Sequence, residues 1–125
     1  MIVRRISTQI IADLGKKMVI LSGPRQCGKT TLSKLLLSTT TGSYFNWDDP
    51  KSRLKIQKGD LDLGPKLWVF DELHKYRKWR NFLKGLYDLN HEDHQIFVTG
   101  SAKLDAFARG GDSLQGRYYS HRLHP

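Results

Sequence analysis

Gly23-Pro24-Arg25-Gln26-Cys27-Gly28-Lys29-Thr30 fits G-x-x-x-x-G-K-[ST], the pattern of a phosphate-binding loop. At average residue frequencies, a chain this long matches it by accident about 4 times in a thousand. The flanks support the match. Met18-Val19-Ile20-Leu21 is an apolar run ending at Ser22, as expected of a buried parallel strand. Thr31 to Leu37 follows with a helical pattern. The octapeptide therefore lies between a strand and a helix, where such a loop has chemical meaning.

The residue types suit the chemistry. A backbone wrapped around a triphosphate supplies several N–H donors, and Gly23 and Gly28 permit the close approach that a Cβ would obstruct. The helix beginning near Lys29 adds its N-terminal dipole and free N–H groups. Nucleotide contacts are expected from Gly23, Pro24, Arg25, Gln26, Cys27, Gly28, Lys29, Thr30 and Thr31. Lys29 is expected to reach the β- and γ-phosphates, and the Thr30 hydroxyl to ligate Mg²⁺. Cys27 sits where a helix N-terminus lowers a thiol pKa, although a space-filling role explains it more simply.

Working outward, Ser7 to Leu14 places Ile10, Ile11 and Leu14 at helical spacing, with Gly15 as C-cap. Ser43 to Trp47 reads as a second strand. Asp49 and Pro50 open a helix as N-cap and first residue. Gly59 to Pro65 is loop, and Leu67 to Phe70 is a third strand. Glu72 to Leu89 reads as one long helix with Leu73, Tyr76, Leu83, Leu86 and Leu89 on its apolar stripe. Gln95 to Thr99 is a fourth strand, 102–108 a short helix, and Arg117 to Leu123 a fifth strand. Strands alternate with helices throughout. The expected fold is therefore α/β, a three-layer αβα sandwich around a parallel sheet of about five strands.

The length, 125 residues, supports one domain. No apolar run approaches the roughly 18 residues of a membrane span, and no apolar segment follows the basic N-terminus to make a secretory signal. A lone cysteine cannot form an internal disulfide, so a cytoplasmic location is expected. The net charge of +9 favours anionic partners, either nucleotide or nucleic acid. The basic segment from His74 to Lys84, with Tyr76 and Trp79, is one candidate nucleic-acid surface, although such charge runs more often form a solvated helix face. His91-x-x-His94 and His121-x-x-His124 have loose metal-ligand spacing, but without cysteine partners they do not read as a zinc site.

The remaining strands end in residues that would complete a hydrolytic site. Trp68-Val69-Phe70-Asp71-Glu72 is a strand closing in two acids. Asp71 is expected to bind Mg²⁺ opposite Thr30, and Glu72 to polarise the attacking water. Val98-Thr99-Gly100-Ser101 ends at the same sheet edge, where Ser101, with Thr99 in reserve, is placed to sense the γ-phosphate. As an alternative, Ser101 simply caps a helix. Asp48 also lies at this edge, and a turn role suits it better.

The order of motifs resembles the predicted prokaryotic ATPases of the AAA+ superfamily. It is carried by the phosphate loop, Tyr44-Phe45-Asn46 with Asp48-Asp49-Pro50, Val69 to Lys75, Thr99 to Ala102, Leu114 to Arg117, and Arg122 to Pro125. The resemblance implies an AAA-type sheet order of 5-1-4-3-2 and ATP as ligand. It also implies that residues 1–125 form the N-terminal AAA-type domain of a longer architecture, so no helical lid or second sensor arginine is placed here. By the same resemblance, Arg117 occupies the position of an arginine finger acting in a neighbouring subunit of a homo-oligomer, with Arg109 a lesser candidate; the alternative for Arg117 is a surface arginine entering an edge strand. The function expected is Mg-dependent ATP binding and hydrolysis. A nucleotide-dependent switch or nucleic-acid-binding module with little turnover is the alternative, and a small-molecule kinase is a more distant one.

Overall fold

The computed structural model describes residues 2–24, 28–101, 104 and 114–123. The elements run α1 (Ile2–Leu14), β1 (Met18–Ser22), α2 (Lys29–Leu37), β2 (Gly42–Asn46), α3 (Pro50–Lys58), β3 (Leu67–Asp71), a 3₁₀ turn (Leu73–Lys75), α4 (Trp79–Asn90), β4 (Gln95–Gly100) and β5 (Tyr118–Arg122). The five strands form one sheet in the order β2-β3-β4-β1-β5, and every pairing is parallel. This is the 5-1-4-3-2 order, read from the other edge.

Alternation along the central strands separates two cores. Met18, Ile20, Trp68, Phe70, Ile96 and Val98 face one side, with Phe45, Ile56, Leu73, Trp79 and Leu83. Val19, Leu21, Leu67, Val69 and Phe97 face the other, with Ile10, Leu14, Leu32, Leu36 and Leu123. Strands buried on both faces need apolar residues at every position, which is why β1 and β3 read as unbroken runs. Each fully buried aliphatic or aromatic side chain contributes about 1.5–3 kcal/mol by its removal from water. Among the described residues, no helix is long and apolar enough to cross a membrane.

Capping follows the sequence at α3. Asp49 accepts from the Lys51 N–H, Pro50 takes the first turn, and Gly59 closes the helix at φ 67°. Three expectations need correction. Helix α1 begins at Ile2 rather than Ser7, and Ile6 rather than Ile11 joins its buried stripe, leaving Ile11 46% exposed. The spacing Ile6, Ile10, Leu14 is a cleaner i, i+4, i+8 row than one containing Ile11. The segment from Glu72 to Leu89 is not one helix. Glu72 takes a left-handed conformation (φ 59°, ψ 25°), a 3₁₀ turn follows, and α4 starts only at Trp79. Tyr76 is extended (φ −81°, ψ 119°), which ends the 3₁₀ turn and interrupts a right-handed helix before α4. Leu89, assigned to the stripe, is 85% exposed. The short helix expected over 102–108 lies, apart from Leu104, outside the described residues.

Candidate functional site

The C-terminal ends of β1, β3 and β4 form one edge of the sheet, where open parallel sheets place ligands. Register fixes the neighbours. Ser22 pairs with Gly100, and Asp71 pairs with both Asn46 and Thr99. Gly23, one residue past β1, donates its N–H to the Gly100 carbonyl at 3.3 Å.

Gly28 stands at φ 102°, ψ 6° as the residue preceding α2. A side chain there is strained, so this glycine is required by its backbone conformation. Its carbonyl accepts the first helical bond, from Leu32 N–H at 2.9 Å. Lys29 is buried, and its Nζ donates to the carbonyls of Gly23 at 2.6 Å and Gly100 at 2.8 Å. The amine thus joins the ends of two adjacent strands. Thr30 and Thr31, on the first turn of α2, are exposed, as is Pro24. Arg25, Gln26 and Cys27 lie outside the described residues.

Asp71 is buried at the end of β3, and both carboxylate oxygens are held by hydroxyls. Thr99 Oγ1 donates to Oδ1 at 2.5 Å, and Tyr44 OH donates to Oδ2 at 2.6 Å. Partial burial, reinforced by the hydrogen bond to this carboxylate, pushes the Tyr44 phenol far above its ordinary range. Tyr44 belongs to a motif of the resemblance, but nothing local to it foretells this bond, because only the β2–β3 register brings it to Asp71.

Glu72 donates its backbone N–H to the Thr99 carbonyl at 3.0 Å, which anchors the left-handed turn to β4. Its carboxylate lies 3.4 Å from Lys75 Nζ and 3.7 Å from His74 Nε2. Lys75 in turn binds both oxygens of Asp48 at 2.9 and 3.0 Å, and this bond raises the lysine's pKa. Asp48 is therefore tied to Glu72 through a shared lysine. The Ser101 N–H donates to His74 Nδ1 at 3.3 Å. A backbone amide cannot accept, so Nδ1 carries no proton and Nε2–H faces Glu72. Burial pushes the His74 pKa below its ordinary value. Ser101 Oγ and Ser22 Oγ are buried and make no hydrogen bond among the described residues. Two orphan hydroxyls beside Lys29 suit a polar ligand at this edge.

No cluster of three or more His, Cys, Asp or Glu capable of caging a metal occurs among the described residues. One carboxylate and one hydroxyl suit Mg²⁺ carried on phosphates, which keeps most of its ligands from substrate and water. The described histidines of the two pairs each have partners of their own. His91 Nδ1 meets the Tyr87 carbonyl, while His94 stacks on Trp68 at 4.0 Å and meets the Pro65 carbonyl. His121 binds Asp13, and His124 lies outside the described residues.

A family model described as an AAA domain matches residues 15–125. The chain belongs to the AAA domain family. Uncharacterized proteins of Mycobacterium tuberculosis and Mycobacterium bovis are each 30% identical over 102 residues, covering 80% of this chain and 23% of theirs. The chain thus spans less than a quarter of the length of these relatives. Among solved structures, the Orc1 protein of Aeropyrum pernix in complex with DNA is similar with a TM-score of 0.65 at 12% identity. That match covers 98% of this chain and 44% of the other, and at this identity it shows the shared P-loop NTPase fold.

In this AAA domain, Arg117 stands apart from the other candidates. It immediately precedes β5, and its carbonyl accepts from Met18 N–H at the start of β1. It is therefore at the sheet edge opposite Lys29, about 15 Å away at some 3.3 Å per residue. Its guanidinium grips Asp88 with Nε–Oδ1 at 2.8 Å and Nη2–Oδ2 at 3.3 Å. This pairing lowers the Asp88 pKa and raises that of Arg117. Arg117 cannot serve the site of its own chain. Arg109 lies outside the described residues.

Proposed function

We propose that residues 1–125 form an ATP-binding AAA-type domain of a longer protein, and that it hydrolyses ATP with Mg²⁺. The observation that carries this is the convergence of Lys29, Asp71, Glu72 and Ser101 on one sheet edge beside the Gly28 turn. Lys29 exchanges its two carbonyl partners for β- and γ-phosphate oxygens, as a point charge does readily. Thr30 and Asp71 hold Mg²⁺, which when bound neutralises charge on the phosphates. Thr99 and Tyr44 fix the direction of the Asp71 carboxylate. Glu72 accepts a proton from the attacking water, and Ser101 Oγ supplies a hydroxyl to the γ-phosphate. Catalysis is then mostly positioning and charge stabilisation.

In the same reading, the protein works in the cytoplasm as a homo-oligomer, where Arg117 leaves Asp88 to reach a neighbour's γ-phosphate. A nucleotide-dependent switch with little turnover is the second reading. It is favoured by the ion pair at 3.4 Å between Glu72 and Lys75, which occupies the carboxylate that hydrolysis needs. Nucleic acid is a natural partner for a chain of net charge +9, and the Aeropyrum pernix relative by fold was solved with DNA.

Calorimetric titration of Mg-ATP tests the site. Wild-type chain binds and Lys29→Ala does not. A phosphate-release assay then separates the readings. Under hydrolysis, Glu72→Gln binds ATP but releases phosphate more slowly by about 100-fold or more, on the order expected for a lost general base. Under the switch reading, wild type and variant are equally slow. Absence of wild-type binding in a longer chain that extends past Pro125 overturns both.

A further inference from the structure

Between Leu73 and Tyr87 the chain carries five lysines and arginines and no acid. Part of this stretch closes around a cleft of about 270 Å³ lined by His74, Tyr76, Arg77, Trp79 and Arg80. The floor is firm. Trp79 is buried, Tyr76 stacks on Trp47 at 4.3 Å, and the Arg80 guanidinium lies 5.4 Å from the centre of the Trp79 ring. Arg77 is exposed at the rim, as are Lys78 and Lys84 on the same segment.

This arrangement differs from a solvated charged face in being concave, aromatic-floored and, among the described residues, lined by no carboxylate. We propose that the cleft binds the phosphodiester backbone of a single-stranded nucleic acid, one phosphate seated between Arg77 and Arg80. The volume lies just below that of small-molecule sites (roughly 300 Å³ upward), which fits one phosphate with its sugar. Planar guanidinium groups match phosphate bidentately. A strand repeats its charge at every nucleotide, so the next phosphates find Lys78 and Lys84. Arg80, held over Trp79, loses little freedom on binding. The cleft gives the nucleic-acid partner named above a place and a chemical class, and rests on that partnership without depending on ATP turnover.

Fluorescence anisotropy with a labelled single-stranded oligodeoxynucleotide tests it, using Arg77→Glu, which alters only an exposed side chain. Wild type binds, with affinity falling linearly in log salt. Arg77→Glu weakens binding about tenfold at low salt and reduces the salt slope by about one. Polyglutamate of equal total charge displaces the strand poorly. No binding by wild type, unchanged binding by Arg77→Glu, or equally effective displacement by polyglutamate overturns the proposal. The two sites fail separately. Lys29→Ala, deprived of ATP, retains the oligonucleotide, and Arg77→Glu retains Mg-ATP. Wild type that binds ATP but no strand sinks the cleft alone.

Discussion

Thr99 Oγ1 donates to Asp71 Oδ1 at 2.5 Å, and the two residues are register partners on β4 and β3. Thr99 is fully buried, so no water replaces its hydroxyl. Thr99→Val keeps the shape but leaves a buried carboxylate oxygen short of a donor. The expected loss is about 1–3 kcal/mol of unfolding free energy, measured by urea titration, with Thr99→Ser close to wild type.

The second clamp on Asp71 shows itself in alkali. Tyr44 has its pKa raised from an ordinary value of 10.0. Above that value the unfolded chain releases the phenolic proton while the folded chain keeps it. The unfolded state then binds fewer protons, and stability falls as pH rises. Below about pH 10 the contribution is fully present. Urea midpoints of Tyr44→Phe, compared with wild type, should therefore decline less steeply between about pH 10 and 12. Parallel curves would remove the Tyr44–Asp71 bond from the account.

His74 behaves in the opposite sense, in acid. Its pKa is lowered from 6.5, mainly by burial. As pH falls through that value the unfolded chain takes up a proton that the folded chain refuses. Stability is therefore lost towards lower pH. His74→Gln, which still offers an acceptor to Ser101 N–H, should flatten the slope of unfolding midpoint between about pH 7 and 5.

Gly100 packs against the same histidine. A Cβ at this position would stand 2.6 Å from His74 Nδ1 and 3.0 Å from Leu104 Cδ2. Gly100→Ala forces the imidazole off the Ser101 amide. The expected cost is about 1–3 kcal/mol. A shifted His74 ring signal in NMR should accompany the lower Tm.

The buried strands are the most legible feature of the sequence, because parallel strands covered on both faces must be apolar throughout. Met18 to Leu21 and Leu67 to Phe70 carry that pattern unmistakably. The break after Glu72 is hidden. The 3₁₀ turn and α4 keep Leu73, Trp79 and Leu83 on the same core, so the apolar spacing imitates one long helix. Side-chain partnerships are less visible still. Tyr44 and Asp71 are 27 residues apart, and Arg117 and Asp88 are 29 apart. Such pairs depend on strand register and on where a helix ends, neither of which leaves a local trace. The phosphate loop is legible because its pattern is confined to eight consecutive residues.

Glu72 is the sole non-glycine at positive φ among the described residues. An L-residue in that basin costs about 1–2 kcal/mol, which glycine avoids. A glycine here would relieve that strain and would remove the carboxylate from the sheet edge. Glu72→Gly should yield a protein that melts higher and, under the proposed hydrolysis, turns over no ATP, so that in that reading robustness and turnover pull in opposite directions at a single backbone position.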